Sequence, residues 1–175
     1  MTQTSHLTSG SITNLDATPA VANVAGQGAA GYQKSINDYT TAVAADAVGS
    51  TYKFVRIPSN ACVKAVWFES EAQGAGKVQL GLYYSDSTID GTSQANQGVV
   101  INVNFFSDDI DCTSAVAKVE KTGANSYTLD KRNQEIWKAA GLSSDPGGYF
   151  DVVATVHTTA ITTGTGKLGV QVDFI

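Results

Sequence analysis

Residues 162–175, "TTGTGKLGVQVDFI", contain a glycine-rich turn followed by a lysine, which at first sight suggests a phosphate-binding loop. Such a loop reads G-x-x-x-x-G-K-[ST], because main-chain N–H groups surround the phosphates and the final hydroxyl group reaches the metal ion. Here Ile161 stands in place of the first glycine and Leu168 in place of the hydroxyl residue. A second copy, "GAGKVQLGLYY", begins at Gly74, and no helix pattern follows either lysine. Both copies therefore predict hairpin turns in which glycine adopts positive φ and lysine opens a strand.

Groups that could perform acid–base or nucleophilic catalysis are few and scattered. The two histidines, His6 and His157, are not part of a metal-binding spacing such as H-E-x-x-H. No G-x-S-x-G sequence is present to expose a serine as a nucleophile. A catalytic triad would have to combine a serine, His157 and an aspartate from unrelated positions. We therefore expect a protein that is not an enzyme and that uses neither a cofactor nor a metal ion.

Two acidic segments contain the residue types of calcium ligands. "DSTIDG" places Asp86 and Asp90 at positions 1 and 5 of an EF-hand-like loop, but position 12 is Gln97 instead of a bidentate glutamate. The second segment, "SDDIDCTS", contains Asp108, Asp109 and Asp111. Without a cation, these three neighbouring carboxylates would repel one another. We interpret both segments as solvated turns and leave cation binding at either of them open.

Aromatic residues form the remaining group of interest. They occur as three adjacent pairs: Trp67–Phe68, Tyr83–Tyr84 and Phe105–Phe106. Neighbouring residues of a strand point to opposite faces, so one ring of each pair is expected to face away from the core. Outward rings such as Trp67 or Tyr84 would serve either as a carbohydrate platform or as protein contacts, where aromatic residues are enriched. We favour protein contact.

The composition limits the classes of partner and compartment. Charged residues make up 15% of the chain, against about 25% in typical domains, while Ala, Gly, Thr and Ser together account for 73 of the 175 residues. The net charge of −5 and the pI near 4.8 argue against nucleic acid, whose binding depends on clustered Lys and Arg. No apolar run is long enough to span a bilayer, and no signal-peptide pattern is present. Cys62 and Cys112 are predicted to be free thiols in a reducing compartment.

Most of the chain shows the pattern of β-strands. The candidate strands are 33–43, 51–57, 62–70, 77–84, 99–106, 115–120, 149–156 and 167–175. They are rich in Val, Ile, Thr, Tyr and Phe, and several alternate strictly between apolar and polar or small residues. We therefore predict an all-β protein with one domain over residues 32–175, a jelly-roll-like β-sandwich of about eight strands.

Residues 1–31 lack a sustained period and contain one charged side chain, Asp16. Disorder usually accompanies high net charge and few apolar groups, whereas this segment is dotted with apolar residues. We predict an extended N-terminal arm that orders against another surface, with a flexible tail as the open alternative. The apolar residues of the arm, which are its candidate contacts with that surface, are Ile12, Leu15, Val21 and Val24.

One short helix of some ten residues is predicted in "LDKRNQEIWKAAGLSSDPGG". Asp130 is its expected N-cap, and Gly141 its expected C′ residue. A helix of this length is unstable alone, so we expect Trp137 to pack onto the sheet edge or onto a neighbouring subunit.

Several segments resemble the small head decoration, or cement, proteins of tailed bacteriophages. They are "LDATPAV", "DAVGSTYKFVRIPSNACV", "GLYYSD", "VVINVNFFSDDIDCTSA" and "EIWKAAGLSSDPGGYFDVV", followed by the C-terminal strand. The resemblance covers residues 14–175, and none of these motifs is a catalytic signature. The longer loop "DSTIDGTSQANQG" departs from the family pattern, which puts detailed loop contacts in doubt.

The resemblance implies a non-enzymatic virion protein that is assembled in the host cytoplasm, binds the capsid exterior and bridges neighbouring capsomers. Its implied partners are the major capsid protein and further copies of itself, as a dimer or trimer. The alternative function is a carbohydrate- or receptor-binding sandwich module of a virion.

Overall fold

The computed structural model of the chain describes residues 6–8, 10–19, 33–85, 98–162 and 165–175. These residues contain nine β-strands: β1 (His6–Thr8), β2 (Lys34–Thr41), β3 (Thr51–Pro58), β4 (Val63–Ser70), β5 (Lys77–Tyr84), β6 (Val100–Asp111), β7 (Val116–Glu120), β8 (Tyr149–His157) and β9 (Lys167–Phe174). The described helices are α1 (Gly10–Asp16), a 3-10 helix (Leu129–Asn133) and α2 (Ile136–Ala139). The predicted all-β class is confirmed.

The strands form two sheets in the order β1-β3-β8-β5-β6 and β2-β9-β4-β7. Apart from β1, they pair antiparallel in a nested series: β5 with β6, β4 with β7, β3 with β8, and β2 with β9. The further pairs β4–β9 and β5–β8 join these hairpin arms into the two sheets. A long hairpin wound onto itself in this way is a jelly roll, so the predicted sandwich is confirmed.

Alternation of side chains explains why these segments become strands with one buried face. In β9, four alternating residues, Leu168, Val170, Val172 and Phe174, are buried. Their neighbours in β3, β4, β5 and β8 supply further large apolar side chains to the same continuous core. Burying each such side chain contributes about 1.5–3 kcal/mol to stability, which makes this shared core the main force holding the sheets together.

All eight predicted strands are present, with small differences at their ends. The largest difference concerns β6, which was predicted to end at residue 106 and continues to Asp111. The acidic segment of Asp108, Asp109 and Asp111 therefore belongs to a strand, and its interpretation as a solvated turn is wrong. An extra residue in β6 between Ser107 and Ile110 leaves Asp109 at a φ of 50°, so the strand bends there without ending.

A bulge in β6 overturns the prediction that one ring of the Phe105–Phe106 pair faces away from the core. Leu80 lies opposite Ser107 and Leu82 opposite Asn102, so β6 has three extra residues over a step of two in β5. Phe105 and Phe106 both lie in this bulge and are both buried. Each ring contacts Tyr127, with centroid distances of 5.3 and 5.4 Å. The strict alternation of a strand does not hold across such a bulge.

Gly81 lies beneath this bulge, and its missing side chain makes the bulge possible. A Cβ atom at Gly81 would lie 2.4 Å from the carbonyl oxygen of Val103 and 2.5 Å from that of Asn102. The backbone of β6 thus occupies the space that any other residue would need for its side chain.

The two glycine–lysine turns are not hairpins. Lys77 opens β5 and Lys167 opens β9, as predicted, and Gly74 and Gly76 have positive φ. However, β4 and β5 belong to different sheets, as do β8 and β9, so each loop crosses from one sheet to the other. A jelly roll needs such crossings, and the local sequence of a loop does not distinguish them from hairpin turns.

The helix predicted after residue 129 is broken into two parts. Gln134 and Glu135 are extended between the 3-10 helix and α2. This break lets the Ile136 N–H donate to the Ala61 carbonyl group and the Trp137 N–H to that of Ser59. Tertiary hydrogen bonds therefore replace the helical ones at this point.

Of the two predicted caps of that helix, the N-terminal one is wrong and the C-terminal one is confirmed. Asp130 is not its N-cap, because the residue before the 3-10 helix is Thr128, whose hydroxyl group donates to the Asp130 carboxylate. Gly141 has the positive φ, 83°, expected after a helix, and its N–H donates to the Lys138 carbonyl group. The C-terminal prediction is therefore confirmed.

The N-terminal arm is not extended throughout. Strand β1 pairs in parallel with β3, and residues 10–16 form helix α1, which lies against β2 and β3. Ile12 is fully buried within the same chain. These described parts of the arm therefore pack onto the chain's own sandwich, which the lack of a helical period in the sequence did not predict.

Candidate functional site

The outer surface of the four-stranded sheet contains a groove of about 390 Å³. Its lining includes Tyr39, Glu69, Glu71, Val116, Lys167 and Gly169, and we call it the sheet-face groove. A second depression of about 90 Å³ adjoins it and shares Tyr39, Glu69 and Gly169. The first volume lies within the usual range of ligand pockets, about 300–1,000 Å³. A carbohydrate site would also need an aromatic ring with a free face.

Gly169 forms the floor of the groove. Tyr39, Gly169 and Glu69 lie side by side on β2, β9 and β4, all directed to the outer surface. Because Gly169 has no side chain, the side chain of Glu69 can lie close over its main chain. A Cβ atom there would lie 3.2 Å from Cγ of Glu69.

The two aromatic rings beside the groove each have a lysine over one face. The Lys167 ammonium group lies 4.9 Å from the ring centroid of Tyr39, and that of Lys118 lies 5.7 Å from the ring of Trp67. Both are cation–π distances. A sugar that stacks on this face of either ring would therefore have to displace a lysine.

Trp67 is also held at its edge. Its indole N–H donates to Asp173 at 3.4 Å, and the Gln171 side chain donates to the other oxygen of the same carboxylate at 3.0 Å. Partial burial disfavours ionisation of Asp173, but hydrogen bonds to its carboxylate outweigh this effect and lower its pKa. This network fixes the ring on the outer face, where the sequence analysis placed it.

Tyr84 does not face outwards, contrary to its use as an outward ring. It lies opposite Phe150 on the core side, and the two rings meet edge to face with centroids 5.6 Å apart. Its neighbour Tyr83 takes the outer side, where its hydroxyl group and that of Thr155 are 2.7 Å apart. Tyr83 is nevertheless only 8% exposed, so this pair offers no open ring for a sugar.

A buried ion pair fastens the N-terminal segment to the five-stranded sheet. Arg56 donates from Nε and Nη2 to the two carboxylate oxygens of Asp151, at 2.7 and 3.1 Å. Its remaining nitrogen, Nη1, donates to Asp16 at the end of α1, at 2.6 Å. Burial disfavours the charge of Arg56, but the two carboxylates raise the pKa of its guanidinium group above the usual value.

The structure describes three of the five predicted contact residues, Ile12, Leu15 and Trp137. Ile12 is enclosed by its own chain, and Leu15 belongs to α1. Val21 and Val24 lie outside the described residues. Trp137 is partly buried against the core, and its indole N–H donates to Glu135 at 2.8 Å. Packing of Trp137 onto the sandwich is thus confirmed, whereas its contact with a partner stays a prediction.

Asp108 and Asp109 each bind a different side chain of β5. The Lys77 ammonium group forms an ion pair with Asp109 at 2.7 Å, and Gln79 donates to Asp108 at 2.6 Å. That bond, together with a hydrogen bond from Asn104, lowers the pKa of Asp108. Among the described residues no group of three or more His, Cys, Asp or Glu side chains is arranged to hold a metal ion. Asp86 and Asp90 lie outside the described part of the chain.

Both cysteines are free, as predicted. Cys112 is buried at the end of the sandwich where the two glycine–lysine loops meet, and its N–H donates to the Gly76 carbonyl group. Burial raises the pKa of the Cys112 thiol to about 11, which makes it unreactive at neutral pH. Within the described residues, the helices are too short to cross a lipid bilayer.

Comparison with known proteins relates this fold to a phage capsid. The sequence matches no protein-family model, and comparison with curated proteins finds no relative. A chain from the capsid of Ralstonia phage GP4 is similar in structure, with a TM-score of 0.56 and 12% identity over 84% of this chain and 86% of that chain. At this identity the likeness concerns the fold alone.

A second comparison is weaker. A chain from the capsid asymmetric unit of cyanophage Pam1 aligns with 87% of this chain and 92% of its own length at 17% identity. Its TM-score of 0.32 is too low to support an argument.

Proposed function

We propose that this protein is a non-enzymatic structural component of a tailed-phage virion that binds the outer capsid surface and cements neighbouring capsomers. The observation that carries the proposal is the likeness of the jelly roll, over 84% of the chain, to a chain from the capsid of Ralstonia phage GP4. The proposed partners are the major capsid protein and further copies of this chain, on the exterior of a virion that is assembled in the host cytoplasm.

The polar groups of the sandwich fit a structural role. The deeply buried ion pair of Arg56 with Asp151 joins two strands, and Asp16 ties the N-terminal segment to the same arginine. An array of capsid-bound copies requires only modest affinity at each contact, since many contacts act together on one shell. A fold whose polar residues stabilise the sandwich itself is sufficient for that task.

The alternative, a carbohydrate- or receptor-binding module, has less support. Of the two rings proposed for it, Trp67 carries Lys118 on one face and Tyr84 packs against Phe150. The sheet-face groove still has a suitable volume and an exposed Tyr39 beside it. A glycan array separates the two functions, because cementing requires no affinity for sugars.

The decisive experiment uses purified capsids of the matching phage that lack this protein. Capsids with and without added protein are heated or treated with a chelator, and their integrity is followed by light scattering and electron microscopy. We expect the decorated shells to survive harsher treatment and to show added density on their outer surface. Equal robustness with and without the protein would refute cementing, and absence of outer density would refute the proposed location.

A further inference from the structure

In the described part of the chain, the first half of β6 is a sheet edge that no other element covers. Strand β6 is the last strand of the five-stranded sheet, so one side of its main chain has no neighbouring strand in that sheet. At Asn104 and Phe105 this side is covered, because Asn125 donates to the Asn104 carbonyl group and the Tyr127 N–H donates to that of Phe105. Within the described part of the chain, no hydrogen bond from outside the sheet reaches the main chain of residues 100–103.

This stretch also lacks the charges that natural proteins place on sheet edges to prevent pairing with another chain. Residues 98–107 read "GVVINVNFFS" and contain no charged side chain and no proline. The other long edges do carry charges: Lys34 and Asp38 in β2, and Lys118 and Glu120 in β7. The remaining edge strand, β1, has only three residues. Among the described edges, residues 99–103 are thus a stretch that neither charged side chains nor shortness protects from pairing.

The exposed side chains of this edge are apolar. Val99 is 46% exposed and Val100 is 47% exposed, and Tyr149, at the same end of the sheet, is 38% exposed. Val100 lies opposite Tyr83 on the neighbouring strand, while the Ser85 N–H donates to the Tyr149 carbonyl group. Val99, Val100 and Tyr149 are therefore exposed apolar residues at the same end of the five-stranded sheet.

We propose that residues 99–103 pair antiparallel with the same residues of a second copy, so that two five-stranded sheets join across a two-fold axis. The identity of the partner follows from self-complementarity. In any antiparallel register within this stretch, each cross-strand pair consists of Val, Ile or Asn, so no like charges meet and apolar side chains face one another. This inference deepens the proposed function, whose partners include further copies of this chain, by naming the surface and the stoichiometry of self-association. It is tested on the isolated chain, so its outcome is separate from whether the protein binds capsids.

The test measures the molecular mass of the full chain in solution between about 1 and 500 μM, by light scattering and analytical ultracentrifugation. We expect a dimer that dissociates on dilution. Val100→Lys places an ammonium group on the edge and should weaken dimerisation at least about tenfold, with the fold retained because Val100 is half exposed. The matched control is Val119→Lys, on the edge strand of the other sheet, where Val119 is 37% exposed. This control should dimerise like the unmodified protein.

A second readout does not depend on any variant. Hydrogen exchange of the peptide covering residues 98–106 should slow with rising protein concentration, in parallel with the dimer fraction. The proposal is overturned by a monomer at all concentrations, by association that Val100→Lys leaves unchanged, or by equal loss in the Val119→Lys control. A closed trimer also overturns it, because one edge paired with itself closes after two copies. Protection that appears only on capsid shells would assign the edge to the capsid protein and likewise overturn the proposal.

Discussion

Arg56 on β3 and Asp151 on β8 face each other in register and form a two-pronged ion pair, with Nε and Oδ1 2.7 Å apart. Both side chains are almost completely buried, at 2% and 0% exposure. Asp16 reaches the same guanidinium group from α1, but its side chain remains 30% exposed. Among the described residues, the arginine therefore pairs with one carboxylate inside the sandwich and one in the N-terminal segment, and the two should differ in energetic importance.

Removal of Asp151 should be far more damaging than removal of Asp16. Asp151→Ala leaves a buried guanidinium group without its main partner, and we expect it to lower the free energy of unfolding by about 3–5 kcal/mol. Asp16→Ala leaves the inner pair intact and should cost about 1 kcal/mol. Denaturation in guanidinium chloride measures both values. Equal losses in the two variants would contradict the assignment of Asp151 as the main partner.

Substitution by alanine should destabilise the protein much more at Gly81 than at Gly169. Gly81→Ala forces a methyl group into the backbone of β6, 2.4 Å from the Val103 oxygen, and should destabilise the protein by about 3 kcal/mol. Gly169→Ala meets Cγ of Glu69 at 3.2 Å, and this flexible, exposed side chain can move away. Thermal denaturation followed by circular dichroism compares the two. A Gly81→Ala protein as stable as the Gly169→Ala control would show that the bulge is not closely packed on β5.

The positions of the strands can be predicted from sequence because burial of one face imposes a two-residue period. Strands β5 and β9 show this period plainly and begin and end within one residue of the predicted bounds. The bulge at Phe105 and Phe106 depends instead on Tyr127, a residue distant in sequence whose ring contacts both phenylalanines. No local pattern signals such a contact.

The same limit applies to the helices and to the candidate site. The helix predicted from residue 130 breaks because the N–H of Ile136 has a tertiary partner, the carbonyl group of Ala61. The sheet-face groove depends on Gly169 lying between Tyr39 and Glu69, and these three residues come from strands far apart in the chain. Sheet order is needed to find them, and periodicity alone does not supply it.

Alkaline pH should unfold the protein through its buried tyrosines. Burial raises the pKa of Tyr52, Tyr83 and Tyr127 above the usual value of about 10, so the folded state retains protons that the unfolded state loses. The sandwich should therefore keep its stability below pH 10 and lose it progressively above that value. The other contributions to the raised pKa of Tyr52 include its 2.6 Å hydrogen bond to Asp46.

Absorbance at 295 nm and circular dichroism, recorded together during an alkaline titration, test this expectation. Three of the seven tyrosines should ionise only as the β-sheet signal is lost. Tyr127→Phe should reduce the late absorbance change by one tyrosine. Complete ionisation of all tyrosines in a protein that is still folded would show that these hydroxyl groups are accessible.

Deletion of residues 1–31 separates folding from attachment. The deletion removes β1, α1 and the Asp16 carboxylate, but it leaves all eight strands of the jelly roll and the Arg56–Asp151 pair. We expect the shortened protein to fold, with a modest loss of stability, and to bind capsids more weakly than the full chain. Sedimentation with purified capsids measures binding, and the folded Asp16→Ala protein is the control for loss of the ion pair alone. Undiminished binding by the shortened protein would remove the arm from the attachment surface.

The place of β9 in its sheet has a consequence for synthesis of the chain. Residues 167–174 follow every other strand in sequence, yet they lie between β2 and β4 and pair with both. Until the ribosome has made them, β2 has no neighbouring strand in that sheet and one edge of β4 is unpaired. The nascent chain therefore stays incompletely folded, with unpaired strand edges, until β9 has been synthesised. Translation of an mRNA truncated before codon 167 would yield a product that tends to aggregate and does not fold as a smaller domain.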